Sequence, residues 1–234
     1  MKRRALSVLL AAAALAGCGK HPVVAEDESA TPKPAWAGLE FTPEPGFDPL
    51  DPALQTIPDD RAQADEIVRR AGTRRDFKVP ASAIAGLAPG PLVRAVVLRP
   101  FYELAGEEAG IRRLNQGQLA VYAMYVADFE ILDGGFDQLW FNSSGAIANE
   151  LPPAAELVGS PEFAAIFRDA ATLWPDRTIP RDRAKREALL DTIDHDRIAE
   201  LDERYAATQY KRKTALANVL APYIRAHTDQ FVAN

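Results

Sequence analysis

Cysteine, histidine and methionine are scarce in this chain of 234 residues, which holds one, three and two of them respectively. A single cysteine excludes an intrachain disulfide framework and a zinc site built from cysteines. Three histidines leave few ligands for a histidine-based metal centre. No apolar run reaches the ~18 residues that a membrane-spanning helix needs. The composition, 47% hydrophobic and 26% charged, is typical of a globular protein, for which we expect no metal site and no cofactor.

Familiar catalytic and phosphate-binding motifs are also missing. The sequence contains no Gly-x-Ser-x-Gly elbow, no P-loop and no His-Glu-x-x-His zinc motif. His195 lies between Asp194 and Asp196, which is typical of a solvated turn between helices. We therefore assign no catalytic residue.

The first 17 residues have the pattern of a secretory signal peptide. Lys2, Arg3 and Arg4 precede a short apolar stretch over residues 5–16. The run Leu15-Ala16-Gly17-Cys18 resembles the bacterial lipobox, which implies cleavage before Cys18 and attachment of lipid to its sulfur. By resemblance to the sorting of enterobacterial lipoproteins, Gly19 in place of an aspartate favours the outer membrane. An ordinary signal peptide with an incidental cysteine is the alternative.

Residues 18–58 have the composition of a disordered tether. They hold eight prolines and many acidic residues, so they offer little apolar surface to offset the entropy of ordering the chain. Trp36, Phe41 and Phe47 are apolar exceptions whose docking on the folded domain is left open.

Residues 59–90 are predicted to form one helix, over residues 60–71, followed by a linker. Arg69, Arg70, Arg74 and Arg75 make a basic cluster at the end of this helix. The cluster is either a solvated helix end, where cations favour the helix dipole, or a contact for anionic lipid headgroups.

From residue 91 to residue 234 the apolar pattern is helical, and no sustained alternating run occurs. Leu119, Tyr122 and Val126 form part of a wide apolar stripe that is typical of a helix in the middle of a bundle. Ser160 and Pro161 have the pattern of a helix start. The sequence therefore predicts an all-α domain.

One stretch, residues 130–145, is richer in aromatic and turn-forming residues than a plain helix corner requires. Gly134 is expected to stop a long helix in the left-handed conformation. The aromatics then either seat one helix pair, with Gln138 satisfying buried backbone groups, or form a recognition surface with exposed anchors. The candidate binding residues are Gly134, Gly135, Phe136, Asp137, Gln138, Trp140, Phe141, Asn142, Ser143, Ser144 and Gly145.

The run from Asp133 to Gly145 resembles the signature of the DNA-mimic protein C-terminal domain family, a group of small bacterial all-helical domains. The resemblance covers about residues 92–227 and includes the Gly159-Ser160-Pro161 helix start and the Leu173-Trp174-Pro175 helix end. It implies an all-helical fold. In the namesake of the family, the acidic surface of a dimer imitates the phosphates of duplex DNA and occupies a DNA-binding protein.

The charge of this domain differs from that of a phosphate mimic, which needs a dense surface of one sign. Residues 91–234 hold 16 basic and 21 acidic residues. Our leading hypothesis is therefore a noncatalytic, lipid-anchored domain that binds another envelope protein or a second copy of itself, and no nucleic acid. The alternatives are a hydrolase that uses Asp133 or Asp137, and a DNA-mimic inhibitor of a DNA-binding protein.

Overall fold

The computed structural model of the protein describes residues 39–48, 51–57, 60–104, 108–211 and 216–233. The predicted signal peptide, the lipidation site at Cys18 and the first part of the predicted tether lie outside the described residues. Export and lipid attachment therefore stay predictions.

The described residues form eleven α-helices and three 3₁₀ helices. Within this part of the chain the one β-type pairing is an isolated parallel bridge between Val79 and Val232, so the predicted all-α fold is confirmed. No helix among the described residues is both long enough and apolar enough to cross a bilayer. The α-helices are α1 Asp60–Ala71, α2 Ala81–Gly86, α3 Pro89–Leu104, α4 Glu108–Ile111, α5 Gln116–Phe141, α6 Leu151–Leu157, α7 Pro161–Ala171, α8 Arg183–Leu190, α9 His195–Lys211, α10 Ala217–Ala226 and α11 Thr228–Phe231; the 3₁₀ helices are Pro52–Thr56, Ser143–Glu150 and Pro175–Arg177.

Helix α5 is the centre of the fold, packed against α3, α6, α8, α9 and the 3₁₀ helix Ser143–Glu150. Its first half is apolar on almost every side, as the wide stripe in the sequence predicts. Its start is fixed by a capping box, in which the Asn115 side chain accepts from the Gln118 backbone N–H and the Gln118 side chain accepts from the Asn115 N–H.

Helix α1 covers the predicted residues 60–71, and its buried Ile67 and Val68 join the core of the helical domain. The predicted linker contains a second short helix, α2, which packs on α3 and α10. The backbone of Val79 pairs with Phe231 and Ala233 at the other end of the chain. Residues 60–90 and the C-terminal helices therefore share one core.

The structure differs from the predicted tether over residues 39–48 and 51–57, which pack on the helices. Phe47 and Leu54 are 8% and 2% exposed, and the Phe47 ring lies beneath the Arg70 guanidinium, 4.2 Å from it. Burial of these two side chains outweighs the extended preference of the surrounding prolines. Of the three apolar exceptions, Phe41 and Phe47 dock on the domain, and Trp36 lies outside the described residues.

Candidate functional site

The candidate site is a corner, residues 130–145, in which α5 bends sharply and passes into the 3₁₀ helix. The bend occurs at Gly134 (φ −144°, ψ 20°) and Gly135 (φ 77°, ψ −173°). The left-handed residue is thus Gly135, and the expectation that Gly134 takes this conformation is wrong. The reason is a contact from α9: Asp202 accepts a hydrogen bond from the Phe136 N–H at 2.8 Å, so the second half of α5 is capped by a distant carboxylate.

Gly135→Ala should destabilise the fold by about 2–3 kcal/mol, because positive φ costs a side chain about 1 kcal/mol and the new Cβ would lie 2.5 Å from the Asp202 carboxylate. Gly159→Ala is the matched control, since Gly159 also has positive φ (76°) but no atom within 4 Å of the new Cβ. Thermal unfolding of both variants separates the cost of a side chain at positive φ from the cost of the close contact with Asp202. Equal melting temperatures would contradict a capping role for Asp202.

A buried carboxylate, Glu130, organises the polar side chains of the corner. It accepts hydrogen bonds from Gln138 Nε2 at 2.9 Å, Asn142 Nδ2 at 2.8 Å and Ser144 Oγ at 2.6 Å. Gln138 also donates to Asp133 at 3.0 Å. The interpretation of Gln138 as a partner for backbone groups is therefore wrong, because two carboxylates within reach are stronger acceptors than neutral carbonyls.

A fully buried arginine from α8, Arg186, fixes the end of the corner. Its Nε and Nη2 donate to the carbonyls of Trp140 and Asn142, each at 2.7 Å, and its Nη1 donates to the carbonyls of Pro180 and Arg181. Burial lowers the pKa of the Arg186 guanidinium from its ordinary value. Nothing in the local sequence distinguishes this arginine from its solvated neighbours, and sequence reasoning missed it.

Gly145 is needed where it stands because Arg186 approaches it closely. A Cβ at this position would lie 2.6 Å from Arg186 Nε and 2.8 Å from the Leu139 carbonyl oxygen. The Asn-Ser-Ser-Gly end of the motif therefore has a structural cause: two side chains hold Glu130 and the glycine leaves room for Arg186.

Phe136 and Trp140 point into the core, so the interpretation of these side chains as exposed binding anchors is wrong. Trp140 packs edge-on against Trp174 at 5.3 Å and lies 5.4 Å from Phe136. Phe136 also meets Phe167 and Tyr205. The aromatic face of the second half of α5 therefore packs against aromatic side chains of α7 and α9. This contact buries the rings in the core.

The exposed apolar side chains of the corner are Leu132 and Phe141, which are 58% and 48% exposed. Phe141 belongs to the predicted set, and the Arg183 guanidinium lies over its ring at 5.0 Å. Leu132 does not belong to it, since it precedes the glycine pair. Ser143 is exposed as well.

The two carboxylates of the hydrolase hypothesis have different surroundings. Asp133 accepts from Gln138, whereas Asp137 Oδ2 lies 3.7 Å from His195 Nδ1, with both side chains substantially exposed. Across the described ranges no three histidine, cysteine or acidic side chains are placed to hold a metal ion. A cavity lies elsewhere, between α2 and the last helices, and is lined by Ala81, Ile84, Ala85, Arg225, Thr228, Asp229 and Val232.

Two carboxyl groups between α5 and α9 have raised pKa values. Burial raises the pKa of Asp128 to about 6, although Tyr205 and Gln209 donate hydrogen bonds that lower it. Burial also raises the pKa of Asp202, against the lowering effect of the Phe136 N–H, and the charge of Asp137 raises it further. The contact between α5 and α9 therefore favours protonated carboxyl groups.

The protein should lose stability as the pH rises from about 4 to about 6. An acid whose pKa is higher in the folded state binds more protons folded than unfolded in this range, so deprotonation costs the folded state up to about 3 kcal/mol for Asp128. Asp128→Asn should flatten this pH dependence and raise the stability at pH 7.5 by about 1–2 kcal/mol. Urea unfolding at pH 4, 5, 6 and 7.5 measures both effects. A variant with the pH profile of the parent chain would contradict the assignment.

Comparison with known proteins connects this corner to a family. No curated protein and no solved structure matches the chain significantly. The sequence resemblance centred on the corner and the all-helical fold around α5 both point to the same group. Residues 112–227, which contain α5 to α10, match the model of the family described as DMP19-like protein, a DNA-mimic family, so this part of the chain is similar to DMP19-like domains.

Proposed function

We propose that this chain is a noncatalytic, lipid-anchored protein of the bacterial cell envelope whose corner binds a partner protein. The observation that carries the proposal is the pair Leu132 and Phe141, large apolar side chains left exposed at the corner. Apolar patches rimmed by polar residues mark protein-binding surfaces, and phenylalanine is enriched there. The remaining polar and aromatic residues of the motif support this surface from within.

The corner supports binding because it is already ordered. Glu130 and Arg186 together make five hydrogen bonds to other residues of the corner. A surface built on such a network loses little conformational freedom when a partner docks, so more of the contact energy contributes to affinity.

The noncatalytic part of the proposal is supported by how the polar side chains are used. Gln138, Asn142 and Ser144 each donate a hydrogen bond to Glu130, so these side chains serve the internal structure of the corner. The His195 and Asp137 side chains, which lie within 3.7 Å of each other, are 61% and 46% exposed, whereas catalytic carboxylates are usually desolvated.

DNA mimicry is the second candidate, favoured by the family match. Against it, several surface acids are paired with arginines, which breaks up a phosphate-like charge pattern. Arg183 pairs with Glu187 at 2.7 Å and Arg204 with Asp169 at 2.8 Å; Arg168–Glu156 and Arg181–Glu150 are further pairs. Under mimicry, duplex DNA would displace the chain from its partner, and under our proposal it does not.

Lipid attachment is tested by labelling. Cells that produce the chain and are fed labelled palmitate should incorporate label into it, and Cys18→Ser should abolish the label and release the protein from the membrane fraction. Label that persists in the Cys18→Ser variant would contradict the anchor.

The binding surface is tested by photocrosslinking in intact cells. A photoreactive amino acid placed at position 132 or 141 should produce one discrete crosslinked species, which mass spectrometry then identifies as another protein or a second copy. Leu157, an exposed leucine on α6, is the matched control position and should produce none. Absence of crosslinks at 132 and 141, or the same species at 157, would contradict the proposal.

A further inference from the structure

The segment that precedes the helical domain covers part of its basic cluster. We call residues 39–45 the arm, and Arg70, Arg74 and Arg75 the basic face. The Glu44 carboxylate accepts from Arg70 Nε at 2.5 Å and Nη2 at 2.8 Å. Glu40 accepts from the backbone N–H and Nε of Arg75 at 3.1 and 3.2 Å and lies 3.9 Å from Arg74 Nε. Because two carboxylates four residues apart reach all three, the arginines lie on one surface.

A buried arginine holds the beginning of the arm. Arg99 of α3 donates from Nη2 to the Leu39 carbonyl at 2.7 Å and also to the Thr73 carbonyl. Its Nε bonds to Glu103 at 3.2 Å. The first residue of the arm is thus held by the buried guanidinium of Arg99.

The arm and the segment after it are held in different ways. Beyond Gly46, Phe47 and Leu54 are anchored by burial. In the arm, Phe41 is half-buried and the next four residues are exposed. The arm is held by two hydrogen bonds to its backbone, from the Glu44 N–H to the Arg70 carbonyl at 2.7 Å and from Arg99 to the Leu39 carbonyl, and by the charge pairs of Glu40 and Glu44. Such pairs at a surface are weak and are screened by salt. Gly46, with a φ of 73°, lies in the turn between the two parts, which is closed by a hydrogen bond from the Phe47 N–H to the Glu44 carbonyl at 3.2 Å.

We propose that the arm is a charge-held latch over a surface that binds anionic lipid headgroups. Guanidinium groups pair with phosphate in the same bidentate geometry with which Arg70 now holds Glu44. Leu39 follows Cys18 by 21 residues, a span of at most ~75 Å, so the basic face stays within reach of the membrane. The inference goes beyond the proposed partner binding and shares with it only the lipid anchor.

The test compares vesicle binding of the full chain carrying Cys18→Ser, which takes no lipid, with the same chain carrying E40Q and E44Q. The vesicles are phosphatidylcholine alone or phosphatidylcholine with phosphatidylglycerol. Each unpaired arginine near an anionic surface raises binding about fivefold. E40Q and E44Q remove two of the paired charges, while Glu66 and Asp76 stay beside Arg70 and Arg74, so the double variant should bind the anionic vesicles up to about 25-fold more tightly. The gain should disappear at high salt and be absent with phosphatidylcholine alone.

The matched control carries E156Q and E187Q, which remove the same charge from arginine pairs elsewhere on the surface and should leave vesicle binding unchanged. Adding R70Q and R75Q to the latch variant should abolish its gain. Thermal unfolding identifies any variant that fails to fold. If the double variant does not fold, E44Q alone should show a smaller gain in binding to the anionic vesicles. Equal binding by the latch and control variants, a gain on neutral vesicles, or a larger gain for duplex DNA would each overturn the proposal. None of these outcomes alters crosslinking at positions 132 and 141, so the two proposals fail separately.

Discussion

Trp140→Ala should lower the free energy of unfolding by about 3–5 kcal/mol, the usual cost of deleting a fully buried indole. Trp140 has no solvent exposure and packs between Phe136 and Trp174. The cavity left behind lies between α5 and the segment after α7 that carries Trp174, and the surrounding core relaxes only partly around such a cavity. Urea unfolding monitored by circular dichroism measures the loss.

The adjacent aromatic residue is the control for this variant. Phe141→Ala removes a half-exposed ring whose described aromatic contact is the Arg183 guanidinium, and should cost less than about 1 kcal/mol. Similar losses of unfolding free energy for Trp140→Ala and Phe141→Ala would contradict the placement of Trp140 in the core and of Phe141 at the surface.

Arg186→Ala should cost about 3–5 kcal/mol, because it removes a donor from four carbonyl groups and opens a cavity beneath α8. These are the carbonyls of Trp140, Asn142, Pro180 and Arg181, of which that of Asn142 keeps the Gly145 N–H at 3.0 Å. Arg186→Lys should recover little, since an ammonium group cannot reach four acceptors arranged around a planar fork. The melting temperature should fall by roughly 6–20 °C for the alanine variant.

Lys185→Ala, an exposed neighbour on the same helix, should change stability by less than ~0.5 kcal/mol. If Arg186→Ala behaved like Lys185→Ala, the carbonyl contacts would contribute nothing to the corner, and its order would have to come from the aromatic packing alone.

Much of the fold could be predicted because its signals are local. The apolar spacing between residues 60 and 71 and Gly72 beyond them give the bounds of α1. The Ser160-Pro161 pair gives the start of α7. The wide apolar stripe of α5 predicts a central helix, and α5 does contact more helices than its neighbours do. Each of these features depends on residues a few positions apart.

The position of the corner could be predicted from the sequence, but not which of its side chains are buried. The spacing of Phe136 and Trp140 puts both on one face of a helix, yet the same spacing fits a face turned inward or outward. The direction is decided by the aromatic residues of α7 and α9, which lie 23 or more residues away along the chain. Asp202 and Arg186 are also far along the chain from the corner residues that they contact, and no local pattern identifies either of them.

The arm is a case in which a compositional argument fails in part. Prolines and acids predict a tether up to residue 58, and most of the arm is indeed exposed. Its acids nevertheless have specific partners in the basic cluster, since Glu40 and Glu44 match Arg75 and Arg70 in space. Amino-acid composition gives the number of charged residues in a segment. Which of them form ion pairs depends on where the end of α1 places the arginines.

The claim at the centre of this account is that the corner separates a buried scaffold from an exposed binding surface. The most direct test is the affinity of the double variant Leu132→Ser, Phe141→Ser for the partner identified by crosslinking, measured with purified proteins alongside thermal unfolding. The account predicts at least a tenfold loss of affinity with a melting temperature within a few degrees of the parent chain. Unchanged affinity in a folded double variant would contradict it.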